Sequence, residues 1–285
     1  MKLNKDIFLY SAKDKLVTNK KFNIYFYLKM DIAWTDIENE KNLSKYYDSD
    51  KYDSFKKKPL KPFDYLYFFV QNFMLRYKWS IIKKLIPSNI KSLDVGSGFG
   101  VFAKFCQKRG VKQTIVENNL KALKICKKKG LKTFVSINKI PEDSKFNIIT
   151  FWHSLEHILD LNETLNKSQS LLEGNSYLVI ALPNINSFDS NYYKEKWAAL
   201  DVPRHLWHFT RSGIESLLNK KGFILIKTYP LLLDVFYIAY LTEKQNGSYF
   251  PLLKGFFLGT ISNIKAFFTK EYSSIIYVFK KKIKF

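Results

Sequence analysis

Residues 93–100 read Leu-Asp-Val-Gly-Ser-Gly-Phe-Gly. The apolar run entering this stretch, Ser92–Val95, reads as a strand, and Val101–Lys108 beyond it carries apolar residues at helical spacing. Gly96, Gly98 and Gly100 therefore occupy a strand-to-helix turn. Glycine there permits a left-handed backbone and lets a ligand come close to the chain, while the helix N-terminus offers unpaired N–H groups to a negative group. The spacing is not the dinucleotide fingerprint GxGxxG, because Val101 stands where its third glycine belongs. No phosphate-cradling GK[ST] is present either. Glu117 follows 21 residues after Gly96, at the end of the next strand, where a carboxylate can accept both hydroxyls of a ribose.

Outward from this turn, strands and helices alternate. Strand Gln113–Glu117 leads to helix Leu120–Lys128, closed by Gly130; strands Leu131–Val135 and Phe146–Phe151, helix Leu155–Leu171 and strand Ser176–Leu182 follow. A loop over 183–210 precedes helix Gly213–Asn219, strand Phe223–Tyr229, an aromatic insertion and strand Ser273–Lys280. This order specifies an α/β fold with a mostly parallel sheet and helices on both faces. The last strand, far from its predecessor, is expected antiparallel at the sheet edge. Upstream, apolar residues at helical spacing over 63–86 predict a helix stopped near Pro87. The organisation is thus an N-terminal extension (1–60), a leading helix (61–88) and a main domain (89–285) with a helical, aromatic insertion at 230–270.

Composition narrows the class. With 46% hydrophobic residues in 285 the chain can build a full core, and 11 Gly, 8 Pro and 2 Cys exclude collagen, disorder and a disulfide scaffold. Cys106 and Cys126 show neither CxxC nor paired metal spacing, the start lacks a continuous apolar signal region, and no apolar run reaches about 18 residues. A cytoplasmic location is expected, peripheral to the inner face of the membrane. The net charge of +22 suggests nucleic acid at first sight, but only Arg76, Arg109, Arg204 and Arg211 among the 47 basic residues are arginine. Bidentate readout of phosphate and guanine favours arginine, so a solvated surface attracted to anionic membranes is the simpler account.

The chain resembles class I S-adenosylmethionine-dependent methyltransferases. Asp94-Val-Gly-Ser-Gly-Phe-Gly matches their first motif and Glu117 their ribose-binding acid. Phe146–Leu161, Leu171–Asn184 and the segment from Trp197 to Thr210, with its LDVPRHLWHFT, resemble the subgroup that includes the ubiquinone-biosynthesis O-methyltransferases. The resemblance implies a Rossmann-like seven-stranded sheet with an antiparallel last strand and S-adenosyl-L-methionine as cofactor, held by Asp94, Gly96, Ser97, Gly98, Gly100, Glu117, Asn118 and Trp152. Some relatives carry a cysteine-bearing metal knuckle ahead of this domain; the corresponding stretch here has no cysteine, so no zinc is assigned and aromatic packing must hold it.

Transfer of an activated methyl group depends chiefly on alignment, and a hydroxyl acceptor also benefits from a base titrating near neutrality. All four histidines follow strand ends: His153 and His157 in WHSLEH, His205 and His208 in PRHLWH. His157 and His205 are the expected proton acceptors. His153, Glu156 and His157 form an H-x-x-E-H cluster resembling the E-x-x-E-H thought to hold a divalent metal in the quinone enzymes; neighbouring positions on a helix do not share a face, so no metal is assigned. Asp201 and Arg204 either orient a substrate or pair with each other, the pair being the expected role, and Trp197 and Trp207 either roof the pocket or pack its loop. The function expected is O-methylation of a small or lipid-linked acceptor, with the lysine-flanked insertion as a cap or a contact to anionic membrane. An RNA or protein methyltransferase and a non-catalytic cofactor-binding protein stay open as alternatives.

Overall fold

The computed structural model describes residues 7–37, 43, 45–47 and 62–282. The first three strands, β1 (Ile7–Lys13), β2 (Lys21–Tyr27) and β3 (Ile32–Thr35), form an antiparallel meander. Aromatic contacts hold it: Tyr25 meets Phe8 and Trp34, each with ring centroids 5.8 Å apart. Helix α1 (Pro62–Leu85) then leads into the alternating part of the chain: β4 (Lys91–Val95), α2 (Val101–Gln107), β5 (Lys112–Val116), α3 (Leu120–Lys128), β6 (Lys132–Phe134), β7 (Phe146–Trp152), α4 (Leu161–Leu171) and β8 (Leu172–Pro183). The segment expected to be a loop over 183–210 contains α5 (Phe188–Tyr193) and β9 (Trp207–Phe209). Last come α6 (Arg211–Lys220), β10 (Phe223–Pro230), α7 (Asp234–Gln245), α8 (Pro251–Thr269) and β11 (Ser274–Lys281).

The main sheet has the order β10-β11-β8-β7-β4-β5-β6. All pairs from β8 to β6 are parallel, and β11 is antiparallel to both of its neighbours. The last strand is therefore not at the edge: β11 is inserted between β8 and β10. Its run Ser274–Phe279 is buried at every position, as a strand covered on both faces must be. Alternate residues feed two cores. Leu178, Ile180, Leu182, Tyr277 and Phe279 pack with α4 and α6, whereas Val179, Ala181, Ile276 and Val278 pack with α1 and α2.

The helix expected over Leu155–Leu171 is broken. Asp160 accepts the Glu163 N–H at 2.8 Å and so starts α4 at Leu161. Leu155–His157 is instead a single tight turn, fixed by the His157 N–H to Ser154 O bond and by the Leu206 N–H donating to Glu156 O at 2.8 Å. Glu156 and His157 thus belong to the end of β7 and to no helix face.

The N-terminal meander is completed from the far side of the chain. β9 pairs antiparallel with β3, placing Ala33 opposite His208 and Trp34 opposite Trp207. A buried ion cluster locks this join. Arg204, 1% exposed, donates from Nε and Nη2 to Asp201 (Nη2 to Oδ1, 2.6 Å) and from both Nη atoms to Asp14 at 3.2 Å. The expected Asp201–Arg204 pair exists, and Asp14 makes it a cross-link between β1 and the β9 loop. Trp197 packs the loop, its Nε1 donating to Asp189 at 2.8 Å, and Trp207 Nε1 donates to Ile158 O at 2.7 Å. Removing one partner of a buried pair strands the other charge, so Arg204→Ala should cost about 3–5 kcal/mol in urea unfolding. A loss below about 1 kcal/mol would show that the cluster does not hold the two sheets together.

Candidate functional site

The site begins with three glycines in the left-handed region: φ is +73° at Gly96, +54° at Gly98 and +67° at Gly100. A Cβ on Gly96 would collide with Ser154, and one on Gly100 would come within 2.7 Å of Leu131 and 2.8 Å of Cys126. One on Gly98 would meet nothing within 4 Å. The loop is pressed onto the core at both ends and open in the middle, where a ligand can approach its backbone.

Glu117, 7% exposed, ties this loop to the second strand. Its Oε2 accepts the Gly98 N–H at 2.7 Å and its Oε1 the Asn119 N–H at 2.8 Å. Each oxygen keeps a second acceptor position, which is what a pair of ribose hydroxyls requires. Asn118 is exposed beside it, and Asn119 caps α3 through the Lys121 and Ala122 N–H groups. Asp94 lies beneath the loop, 2% exposed, and accepts from Thr150 Oγ1 at 2.7 Å. Burial pushes its carboxyl up to about 6 against the opposing influence of Thr150, Ser97 and Lys78.

Trp152, at the end of β7, meets Phe102 edge-on with centroids 5.1 Å apart; its buried Nε1 has no hydrogen-bond partner. Lys78 Nζ sits over the Trp152 ring, 4.7 Å from its centroid. Burial lowers the Lys78 pKa while Asp234 and Asp94 oppose that shift. Lys78 was not among the expected site residues. Its trace in the sequence is a cation flanked by the aromatic residues Tyr77 and Trp79, two residues after Arg76 in α1. These features fit an adenosine-type cofactor with a charged tail: an open glycine backbone, a half-satisfied buried carboxylate and a cation beside an aromatic ring.

The histidines divide into three roles. His153, at φ +52°, turns away from the others and pairs with Asp234 of α7 at 3.1 Å and with Glu156 at 3.6 Å. Burial alone would lower its pKa, but the two carboxylates raise it to about 9. His208 is 4% exposed, with Nε2 2.9 Å from Thr35 Oγ1 in the small sheet, and burial lowers its pKa to about 3. The structure brings His157 and His205 together, ring centroids 4.6 Å apart. His157 Nδ1 lies 2.9 Å from Arg204 O, and His205 Nδ1 lies 2.8 Å from Ala199 O. A carbonyl only accepts, so both Nδ1 atoms carry a proton, and in the neutral form of either ring the lone pair is at Nε2.

Glu156 completes the cluster. It is 1% exposed, neither oxygen has a hydrogen-bond partner, and Oε1 lies 4.0 Å from His205 Nε2. Burial would raise its carboxyl, but His153 and the other imidazoles hold it low, at about 2. Burial, followed by the neighbouring His205 imidazole, lowers His157 to about 4. Ligand atoms of Glu156, His157 and His205 lie within 4.8 Å of one another, so among the described residues this set, and not His153 with Glu156 and His157, is the one that could hold a metal ion.

A nucleotide-type loop on a seven-stranded sheet with an inserted antiparallel strand defines the class. The methyltransferase-domain family model matches residues 70–228, more than half of the chain, and the protein belongs to that family, whose cofactor is S-adenosylmethionine. Solved structures agree in fold. Magnesium protoporphyrin IX methyltransferase from Synechocystis PCC 6803, with bound S-adenosylhomocysteine, is 11% identical with a TM-score of 0.55, over 86% of this chain and 100% of that one. The 1,6-didemethyltoxoflavin-N1-methyltransferase from Burkholderia thailandensis is 12% identical with a TM-score of 0.51, over 92% of this chain and 96% of that one. No curated protein matches the sequence.

The imidazole shifts fix a stability profile. His157 and His208 stay neutral in the folded protein down to about pH 4 and 3, whereas unfolded imidazoles bind protons near 6.5. Stability should therefore fall as pH drops below about 6.5, by about 1.4 kcal/mol per pH unit for each group. His153 has the opposite sign: its contribution is full below about 6.5 and is lost as pH rises toward 9. Urea midpoints against pH should show His208→Gln flattening only the acid limb and His153→Gln only the alkaline limb. Unchanged limbs in both variants would contradict these protonation states.

Proposed function

We propose that this S-adenosylmethionine-dependent methyltransferase methylates a hydroxyl oxygen on a small or lipid-linked acceptor, with His205 and His157 as the proton-accepting pair. The observation that carries this reading is the bonding of both Nδ1 atoms to backbone carbonyls, which leaves both Nε2 atoms off the backbone, that of His205 4.0 Å from the buried Glu156 Oε1. A proton arriving at His205 Nε2 makes an imidazolium beside the charged Glu156, and His157 stays neutral at pH 7. The Synechocystis and Burkholderia enzymes of similar fold are named for small molecules, magnesium protoporphyrin IX and 1,6-didemethyltoxoflavin, and support the small acceptor but not the oxygen, since the second is an N1-methyltransferase.

The backbone of Gly96, Ser97, Gly98 and Gly100 would line the cofactor, Glu117 would take its ribose hydroxyls with Asn118 alongside, and Asp94 would hold the loop from below. Trp152 and Lys78 would flank its aliphatic, carboxylate-bearing end. When bound, the cofactor supplies a methyl group on a sulfonium, which leaves the sulfur as the acceptor oxygen bonds to it. The chain's own part is to align that oxygen and to receive its proton at Nε2.

Calorimetric titration with S-adenosylhomocysteine should show micromolar binding, weakened by about 1.5–3 kcal/mol for each charged hydrogen bond lost in Glu117→Ala. Unchanged affinity would place the ribose elsewhere. With an acceptor found by mass-spectrometric screening for methylated products, His205→Ala or His157→Ala should lower turnover roughly 10²–10⁴-fold with cofactor affinity unchanged. The acid limb assigned to His157 should lie near its lowered value of about 4 and not in the ordinary histidine range. A rate abolished by chelator and restored by a divalent cation would make Glu156, His157 and His205 a metal site and would overturn the base assignment.

A further inference from the structure

Helix α8 is built inside out. Its buried residues are Gly255, Gly259, Ser262 and Ala266, a small-residue stripe on one face. That stripe is pressed against α7: a Cβ on Gly255 would come within 2.7 Å of Tyr240 N, and one on Gly259 within 2.7 Å of the Phe236 ring. The large apolar residues point the other way. Leu252, Leu253, Phe256, Phe257, Phe267 and Phe268 are each between 57% and 77% exposed. A helix of a water-facing surface buries such residues and shows its polar ones; this one does the reverse.

The charge around this face identifies what it meets. Pro251–Thr269 contains Lys254 and Lys265 and no acidic residue, Lys270 caps the helix, and the acid that follows, Glu271, is paired with Arg211. The whole chain is at +22, so a second copy would bring like charge to like. No helix among the described residues is long and apolar enough to cross a membrane. A 19-residue helix, about 28 Å long, that shows aromatics outward between lysines is instead suited to lie in the plane of a bilayer interface.

We infer that α8 is an in-plane docking helix that seats this protein on anionic bilayers. Its Phe and Leu side chains enter the boundary between headgroups and acyl chains, and the flanking lysines meet the lipid phosphates. α7 lies behind α8 and begins at Asp234, the partner of His153, so the docked face is joined to the site through one ion pair. The inference goes beyond the proposed reaction and does not depend on which acceptor is used.

The test is cosedimentation of the full chain with vesicles of phosphatidylcholine alone and of phosphatidylcholine mixed with phosphatidylglycerol. The wild type should favour the anionic vesicles at low salt and lose them as salt rises, with each engaged lysine contributing about fivefold. Phe257→Ser/Phe268→Ser should reduce anionic-vesicle binding at least tenfold, with circular dichroism and S-adenosylhomocysteine binding unchanged because both side chains are exposed. A Phe257→Trp probe should shift its emission to shorter wavelength on those vesicles only. Equal binding by the wild type and the double variant, no preference for anionic over neutral vesicles, or a lipid-free dimer that the double variant dissociates would each overturn the inference; the last would make the face a contact between copies.

Discussion

The hydrogen bond from the Gly98 N–H to Glu117 Oε2 is the constraint on which the rest of the site depends. It joins the turn after β4 to the end of β5, and the same carboxylate also receives the Asn119 N–H where α3 begins. Bonds to a charged acceptor are stronger than neutral ones, so this carboxylate fixes two backbone segments at once. The geometry is available only because the loop glycines accept positive φ and because Gly96 and Gly100 leave no room for a side chain. What stays open is the space beside Gly98, and each oxygen of Glu117 keeps one unused acceptor position.

The parts legible in the sequence are those that the local backbone decides. The glycine turn, Glu117, the alternation that gives a parallel sheet and the pairing of Asp201 with Arg204 all depend on short stretches whose chemistry leaves few options. The parts that were not legible are long-range. Nothing in Trp207–Phe209 announces that it completes a sheet begun near residue 7, and nothing local turns His153 toward Asp234, 81 residues away. Leu155–Leu171 carries apolar residues at helical spacing, but the Asp160 cap delays the helix to Leu161. The last strand is not at the edge, for a reason that its own residues carry: Ile275–Phe279 is apolar on both faces, the mark of a strand covered on both sides within the sheet.

The histidines show how environment, more than residue type, assigns a role. His153 is charged because two carboxylates outweigh its burial, His208 is neutral because burial and then His205 outweigh the opposing pull of Glu156, and His157 and His205 are oriented by backbone carbonyls. The Asp14–Arg204–Asp201 cluster lies directly behind that pair, since the Arg204 carbonyl is the acceptor for His157. The N-terminal meander therefore belongs to the architecture of the site even though it sits outside the residues matched by the family model. The same economy applies to α8, whose small residues are spent on contact with α7 and whose aromatics are left facing outward.

A crystal structure of the complex with S-adenosylhomocysteine tests the central claim most directly. The account predicts both ribose hydroxyls on Glu117, the ligand backbone passing over the open face of Gly98, and the sulfur directed toward the edge where His157 and His205 lie. A ligand whose ribose bonds elsewhere, with Glu117 still held only by Gly98 and Asn119, would contradict it.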